Sequence, residues 1–218
     1  PATGDRVIAA PRGKTLGGSS SINGHIYSRG QRADYDTWAQ KGNRGWGFSD
    51  VLPYFKRAER RVGPGDDTFR GRNGCLTVTD TDWNHPLCEA FIAGANGLGI
   101  PSNQDYNGAC QDGVSYTQRI IHKRRRVSAY RAYLHQRRNQ ANIDIRTNAL
   151  ATRILLKDMR ATGVRYLQDN REIELSARRE VILCGGTVNS PQLMQLSGIG
   201  PGTLLRNIGV DLVHDLPG

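Results

Sequence analysis

"VILCGGTVNSPQLMQLSGIG", Val181 to Gly200, holds the turn on which the fold is decided. Its apolar start reads as a strand buried on both faces. A glycine pair closes that strand, Ser190 and Pro191 fit the N-cap and N1 positions of a helix, and Ser197-Gly198 ends the short run QLMQL. A strand, a glycine turn and a helix N-terminus in succession give backbone N–H groups and a helix dipole that can face a phosphate. Junctions of this kind occur throughout α/β proteins and define no function alone.

Upstream, "ATRILLK", "ATGVRYLQ" and "REIELS" alternate as strands with hardly any helix between them, which predicts a small antiparallel meander running into the Val181 strand. Residues 63 to 147 read as α+β. "GCLTVTD", "DGVSYTQRII" and "NIDIRT" are strand-like, while "HPLCEAFIAGANGLG" and "SAYRAYLHQRR" have helical spacing, the latter with Ser128 as its cap. Residues 31 to 62 read as helical: "ADYDTWAQ", a Gly/Asn turn, then "DVLPYFKRAERR" capped by Ser49, with Pro53 early enough to be tolerated. Tyr35, Trp38, Trp46, Phe48, Tyr54 and Phe55 are expected to pack this helical pair. The fold class is α/β with an α+β portion.

At 218 residues with 26 glycines and 37% apolar residues, the chain suits a loop-rich mixed fold better than a helical bundle. No apolar run approaches the ~20 residues that cross a bilayer, and no signal-peptide pattern opens the chain. Cys75, Cys88, Cys110 and Cys184 form no C-x-x-C pair, and the five histidines form no metal-ligand spacing. Buried, reduced thiols and no metal are expected. The net charge of +10, densest at "HKRRR" (His122 to Arg126), raises a nucleic-acid-binding module as one alternative. Few aromatics interleave with these arginines, so the run reads as a solvated basic face. The start at "PATGDRV" and the stop at "VDLVHDLPG", where Pro217 and Gly218 read as the entry to a turn, suggest an internal segment of a longer protein.

The barest backbone is "LGGSSSINGHIYSRG", Leu16 to Gly30. Glycine permits positive φ and close approach to the main chain. Serine and asparagine add hydroxyl and amide partners, so the stretch reads as a tight turn or as a mould for a polyanionic ligand.

Together, "GKTLGGSSSINGHIYSRGQRADYD" and "GTVNSPQLMQLSGIG" resemble the two signature segments of the glucose-methanol-choline flavoprotein oxidoreductases. "GWGFSDVLPYFKRAE", "DYNG", "RRRVSAYRAYL" and "TNALATRIL" also resemble family segments, in the family's order, and choline and other alcohol dehydrogenases look nearest. The resemblance implies FAD as cofactor, with Ser19, Asn23, Gly24 and Ile26 touching it and Gly17 and Gly18 allowing its approach. Ile22 and Ile26 would share one helical face and anchor the segment. Some members attach the flavin through a histidine just before that asparagine. Ile22 stands there, so non-covalent FAD is expected. Ala151, where valine is commoner, would offer a main-chain contact to the adenine, and Cys184, Gly185 and Gly186 would lie near the adenosine.

The family organisation implies a discontinuous FAD-binding domain at 1–30 and 148–218. A helical connecting segment at 31–62 and part of an antiparallel substrate domain at 63–147 complete the expected layout. The family's first-strand fingerprint G-x-G-x-x-G does not occur here. Neither does its C-terminal segment bearing the proton-abstracting histidine. His25 and His214 do not match that position, so no catalytic residue is assigned and the isolated segment is expected to be inactive, with exposed apolar surface. For the parent, the resemblance implies oxidation of a primary alcohol to an aldehyde, with oxygen or a quinone-type molecule as electron acceptor. A cyanohydrin lyase that keeps FAD is the alternative within the family. A cytoplasmic protein is expected, with peripheral membrane association open for the parent, and nucleic acid is not an expected partner.

Overall fold

The computed structural model describes residues 4 and 6–217, so part of the opening PATGDRV and the terminal Gly218 lie outside the described residues. The chain divides into two units, Pro1–Ile143 and Asp144–Gly218.

In the first unit, α1 (Arg32–Gln40) starts where Asp34 Oδ2 accepts the Gln31 N–H at 2.7 Å. Helix α2 (Phe48–Ala58) starts at Gly47, whose N–H donates to Asp50 Oδ2 at 3.2 Å. Ser49 is therefore not the cap but the second residue of the helix, because Asp50 reaches back to the orphan N–H first. The Phe48 N–H donates to Asp36 Oδ1 at 2.8 Å and ties α2 to α1. Tyr35 packs edge-on against Trp38 and Phe55, with ring centroids 5.5 and 5.6 Å away, and Trp46 meets Trp38. Tyr54 is exposed and stacks under Arg57 instead.

The helix ends at Ala58, earlier than the sequence pattern suggests, because Glu59–Arg61 form β1, paired parallel with β2 (Leu76–Val78). Helix α3 (Pro86–Gly97) carries proline at its first position and takes its cap from His85 Nδ1, which accepts the Leu87 N–H. Strands β3 (Ile121–His122) and β4 (Arg125–Arg126) form a hairpin, with Lys123 and Arg124 at φ 48° and 60° in the turn.

Two expected elements differ in this unit. Most of Asp112–Ile121 is not a ladder strand. It is wedged between two neighbours, meeting Thr79 and Ile26 at single bridges around Arg119. The helix expected over Ser128–Arg138 is one π-helical turn, Tyr130–Leu134. The Arg137 N–H donates to the Leu134 carbonyl at 2.9 Å rather than to that of Tyr133, so the backbone tightens into i→i−3 turns and the helix does not propagate.

The second unit contains the meander: β5 (Leu150–Lys157), β6 (Arg160–Gln168) and β7 (Arg171–Ser176), antiparallel in that order. Asp158-Met159 and Asp169-Asn170 close the two hairpins with φ between 49° and 62°, the handedness that matches twisted strands. Gly163 is required inside β6, since a Cβ there would lie 2.4 Å from the Leu175 carbonyl oxygen of β7.

Helix α4 (Gly186–Leu196) is tied to β5 through Ser197, whose Oγ accepts the Ile154 N–H at 2.8 Å and donates to the Leu193 carbonyl at 2.6 Å. A parallel pair, β8 (Ile199–Gly200) with β9 (His214–Asp215), and α5 (Gly202–Asn207) enclose the fully buried Leu205.

The deciding stretch departs from expectation at two points. Val181–Cys184 is irregular, Ile182 is exposed, and no strand among the described residues pairs with it. Helix α4 begins at Gly186, so Ser190 and Pro191 lie within the helix rather than at its cap. Asn142–Thr147 likewise forms no strand, having no ladder partner among the described residues. The thiols also differ: Cys75, Cys110 and Cys184 are exposed and Cys88 is half-buried, all free. Large apolar side chains stand exposed in both units, among them Val7, Phe91 and Leu98 in the first and Leu150 and Ile182 in the second. The class remains mixed α/β.

Candidate cofactor site

The glycine segment of the first unit is folded onto itself by its small residues. Gly17 and Gly18 have φ 91° and 54°, which a side chain disfavours, and they lead into the 3-10 turn Gly18–Ser21. A Cβ on Gly13 would lie 2.3 Å from the Gly18 carbonyl oxygen, so the two strands of the loop touch through bare backbone. All three serines make hydrogen bonds within the first unit. Ser20 Oγ donates to the Gly17 carbonyl and accepts the Ala129 N–H at 2.9 Å, and Ser21 Oγ donates to the Leu16 carbonyl at 2.9 Å. Ser19 Oγ accepts the Gly13 N–H at 3.2 Å and stays exposed.

Asn23 follows the turn, and its Oδ1 accepts from Arg126 Nη1 at 2.7 Å and from the His25 N–H at 3.0 Å. Gly24 has an ordinary φ and nothing within 4 Å of the place where a Cβ would stand. Neither backbone conformation nor a protein neighbour explains a glycine there. Its bare face lies on a groove of about 580 Å³ whose other walls include Ile26, Trp83, Leu87, Phe91 and Tyr116. The expected anchoring of the segment by Ile22 and Ile26 on one helical face is overturned. The 3-10 turn ends at Ser21, and both isoleucines are more than half exposed.

The segment's far end supplies the anchor instead. The Tyr27 N–H donates to the Gln118 carbonyl at 2.9 Å, and Tyr106 Oη donates to the Tyr27 carbonyl at 2.8 Å. Arg29 is buried with Glu59, Arg70 and Gln118 in an ion-paired core that no sequence motif marks.

His25 stands between these parts at φ 53°, with Nδ1 buried and without a hydrogen-bond partner among the described residues. Burial, then the charges of Arg126 and Arg119, hold its pKa below the ordinary histidine value. The imidazole is therefore biased toward its neutral form.

The structure places the sequence-derived candidates in two groups. Gly17, Gly18, Ser19, Asn23, Gly24 and Ile26 lie within ten residues of one another in the first unit. Ala151 lies in β5 opposite Tyr166, while Cys184, Gly185 and Gly186 lead into α4 in the second. Gly186, at φ 83°, has open space on its bare side. No group of three or more His, Cys, Asp or Glu side chains among the described residues could hold a metal ion. No helix among them is long and apolar enough to cross a membrane.

The chain thus holds a bare, donor-rich turn in one unit and a glycine-led helix start in the other. A family model of the GMC oxidoreductases matches residues 1–216, and the chain belongs to that family. It is 44% identical over 218 residues to the oxygen-dependent choline dehydrogenase of Brucella ovis, covering 100% of this chain and 39% of that protein. The oxygen-dependent choline dehydrogenase of Burkholderia pseudomallei is 45% identical over 222 aligned positions, with the same two coverages.

Among solved structures, an FAD-dependent oxidoreductase from Chaetomium thermophilum superposes with a TM-score of 0.89 at 30% identity, over 98% of this chain and 39% of that one. Pyridoxine 4-oxidase from Mesorbium loti gives 0.86 at 32%, over 94% and 41%. The chain thus spans about two fifths of the length of these relatives.

Proposed function

We propose that this chain is the cofactor-cradling portion of an FAD-dependent oxidoreductase that oxidises a primary alcohol, choline or a related compound, to the aldehyde. The observation that carries the reading is Gly24: a glycine with no internal reason to be one, flanked by the exposed Asn23 amide and near the exposed Ser19 hydroxyl. That is the chemistry of a surface against which a flat, polar group is laid. The residues fit FAD.

In this reading Gly17, Gly18, Ser19, Asn23, Gly24 and Ile26 meet the flavin end, and Ala151, Cys184, Gly185 and Gly186 the adenosine end. Residues 1–30 and 148–218 then belong to the cofactor domain, 31–62 to the helical connector, and 63–147 to part of the substrate domain. When bound, FAD supplies the hydride acceptor, with oxygen or a quinone-type molecule as the final oxidant. The residues of this chain bind and orient the cofactor, and none of them is assigned a catalytic role. Ile22 has no nucleophilic atom, so the flavin is held non-covalently.

The test is made on the whole protein that carries this segment. It should purify yellow, lose its colour anaerobically when given choline or another primary alcohol, and release its flavin into the supernatant on acid precipitation. Flavin that stays with the acid pellet would refute non-covalent attachment. Colour unaffected by any alcohol, with cyanide released from a cyanohydrin, would replace the oxidoreductase reading by a lyase.

A further inference from the structure

The basic run His122–Arg126 is not absorbed by the cofactor reading, and one of its members is turned inward. Arg126, in β4, donates from Nη1 to Asn23 Oδ1 at 2.7 Å and to the Ser20 carbonyl at 3.5 Å. The same Oδ1 accepts the His25 N–H at 3.0 Å. A carboxamide oxygen offers two lone pairs, and here both are taken.

Neither partner has any capacity to accept, since one is a guanidinium and the other a backbone N–H. Turning the amide round would set N–H groups against N–H groups, so its orientation is fixed by the chemistry of its neighbours. Nδ2, with two hydrogens and no bond to the described residues, is the polar part of Asn23 left facing outward from an exposed side chain.

We propose that Arg126 is a positioning residue that locks Asn23 as a pure hydrogen-bond donor toward the flavin site, so that whatever atom meets Asn23 there is an acceptor. This rests on the cofactor reading above. The surroundings reinforce it: Arg125 and Arg131 share a concavity of about 350 Å³ with Arg126, Ser21 and Ser128, and no carboxylate lines it. Positive charge behind the amide oxygen polarises the amide and strengthens donation from Nδ2. The site therefore favours an electron-rich edge, such as a carbonyl oxygen or an unprotonated ring nitrogen.

The experiment compares N23D, N23A, R126A and the double variant N23A/R126A. In urea unfolding of the flavin-free chain, N23D should be at least as stable as the original, because the Arg126 contact becomes an ion pair. In the flavin-loaded protein N23D should bind flavin about tenfold more weakly or worse, since an acceptor replaces the outward donor. Stability and affinity moving in opposite directions is what a merely structural Asn23 would not give. R126A should weaken flavin binding about tenfold with Asn23 present and less than about twofold in the N23A background.

N23D binding as tightly as the original, or an R126A effect of equal size in both backgrounds, would overturn the proposal. If the unsubstituted protein takes up no flavin, the cofactor reading is what fails. The unfolding cycle still judges the clamp in that case, because additive effects of N23A and R126A on stability would show that the two side chains do not act together.

Discussion

Replacing Glu59 by glutamine should remove a large part of the first unit's stability margin. Glu59 is fully buried. Its Oε2 accepts from Arg29 Nη2 at 2.6 Å, from Arg70 Nε at 3.2 Å and from the Gly71 N–H at 2.9 Å, and its Oε1 accepts from Arg70 Nη2. Arg70 is also paired with Asp105, so two guanidiniums face two carboxylates and the cluster is neutral. Burial, the largest influence on Arg70, works against its charge, yet hydrogen bonding and charge from Glu59, then Asp105, push its pKa above the ordinary arginine value.

E59Q leaves one buried positive charge uncompensated and turns an amide N–H toward donors. Breaking a buried pair in this way costs ~3–5 kcal/mol, against ~5–15 kcal/mol for a whole domain. With ~2 kcal/mol/M for urea, the midpoint should fall by about 2 M. Trp38, Trp46 and Trp83 all lie in Pro1–Ile143, so tryptophan fluorescence follows that unit alone. The control is D67N in the same unit: the Arg72–Asp67 pair spans 2.6 Å but is largely exposed, and its loss should leave the midpoint within ~0.5 M of the original. A fluorescence midpoint that moves by less than ~0.5 M in E59Q, with unchanged slope, would refute this account of the cluster.

Four further outcomes follow from single positions. G24A should unfold within ~0.5 kcal/mol of the original, because its Cβ enters open space, while flavin uptake by the loaded protein falls. G71A should cost at least ~2 kcal/mol, since its Cβ would lie 1.9 Å from the Lys56 carbonyl oxygen; equal stability of the two variants would contradict the geometry. S197A should cost ~1–3 kcal/mol by circular dichroism, because the buried Ile154 N–H loses the Ser197 Oγ it donates to. Full retention of stability would mean that water satisfies that group. His25 has a folded pKa below its unfolded value of about 6.5, so the unfolded chain takes the proton first as pH falls. Its contribution is complete above about pH 6.5 and is lost as pH drops through the folded pKa. H25N should remove this part of the acid sensitivity, and a stability difference between original and variant that is the same at pH 7.5 and pH 5 would contradict it.

The meander was legible because everything that forms it is local. Alternation marks β5 to β7, and Asp158, Asp169 and Asn170 supply turn residues that tolerate positive φ where the strands reverse. Val181–Cys184 and Asn142–Thr147 carry equally strand-like sequences and form no ladder. A strand is a relation between two segments, and for these no second segment is present among the described residues. Helix starts failed for a narrower reason. Ser49 and Ser190 are good caps by residue type, but Asp50 captures the Gly47 N–H and α4 starts four residues before Ser190.

For the site, the glycine segment announces itself because several glycines have separable physical reasons: conformation at Gly17 and Gly18, crowding at Gly13, an open face at Gly24. Arg126 announced nothing. In "HKRRR" each arginine is equivalent by composition, and a charged run on a surface is the natural reading. The hairpin breaks that equivalence. Lys123 and Arg124 occupy the turn, and the two arginines of β4, though they line one concavity, are buried to different degrees. One is exposed, and the other meets an asparagine 103 positions earlier in the chain. A sequence pattern identifies which residues have chemistry to offer; here the register of a six-residue hairpin decided which of them could deliver it.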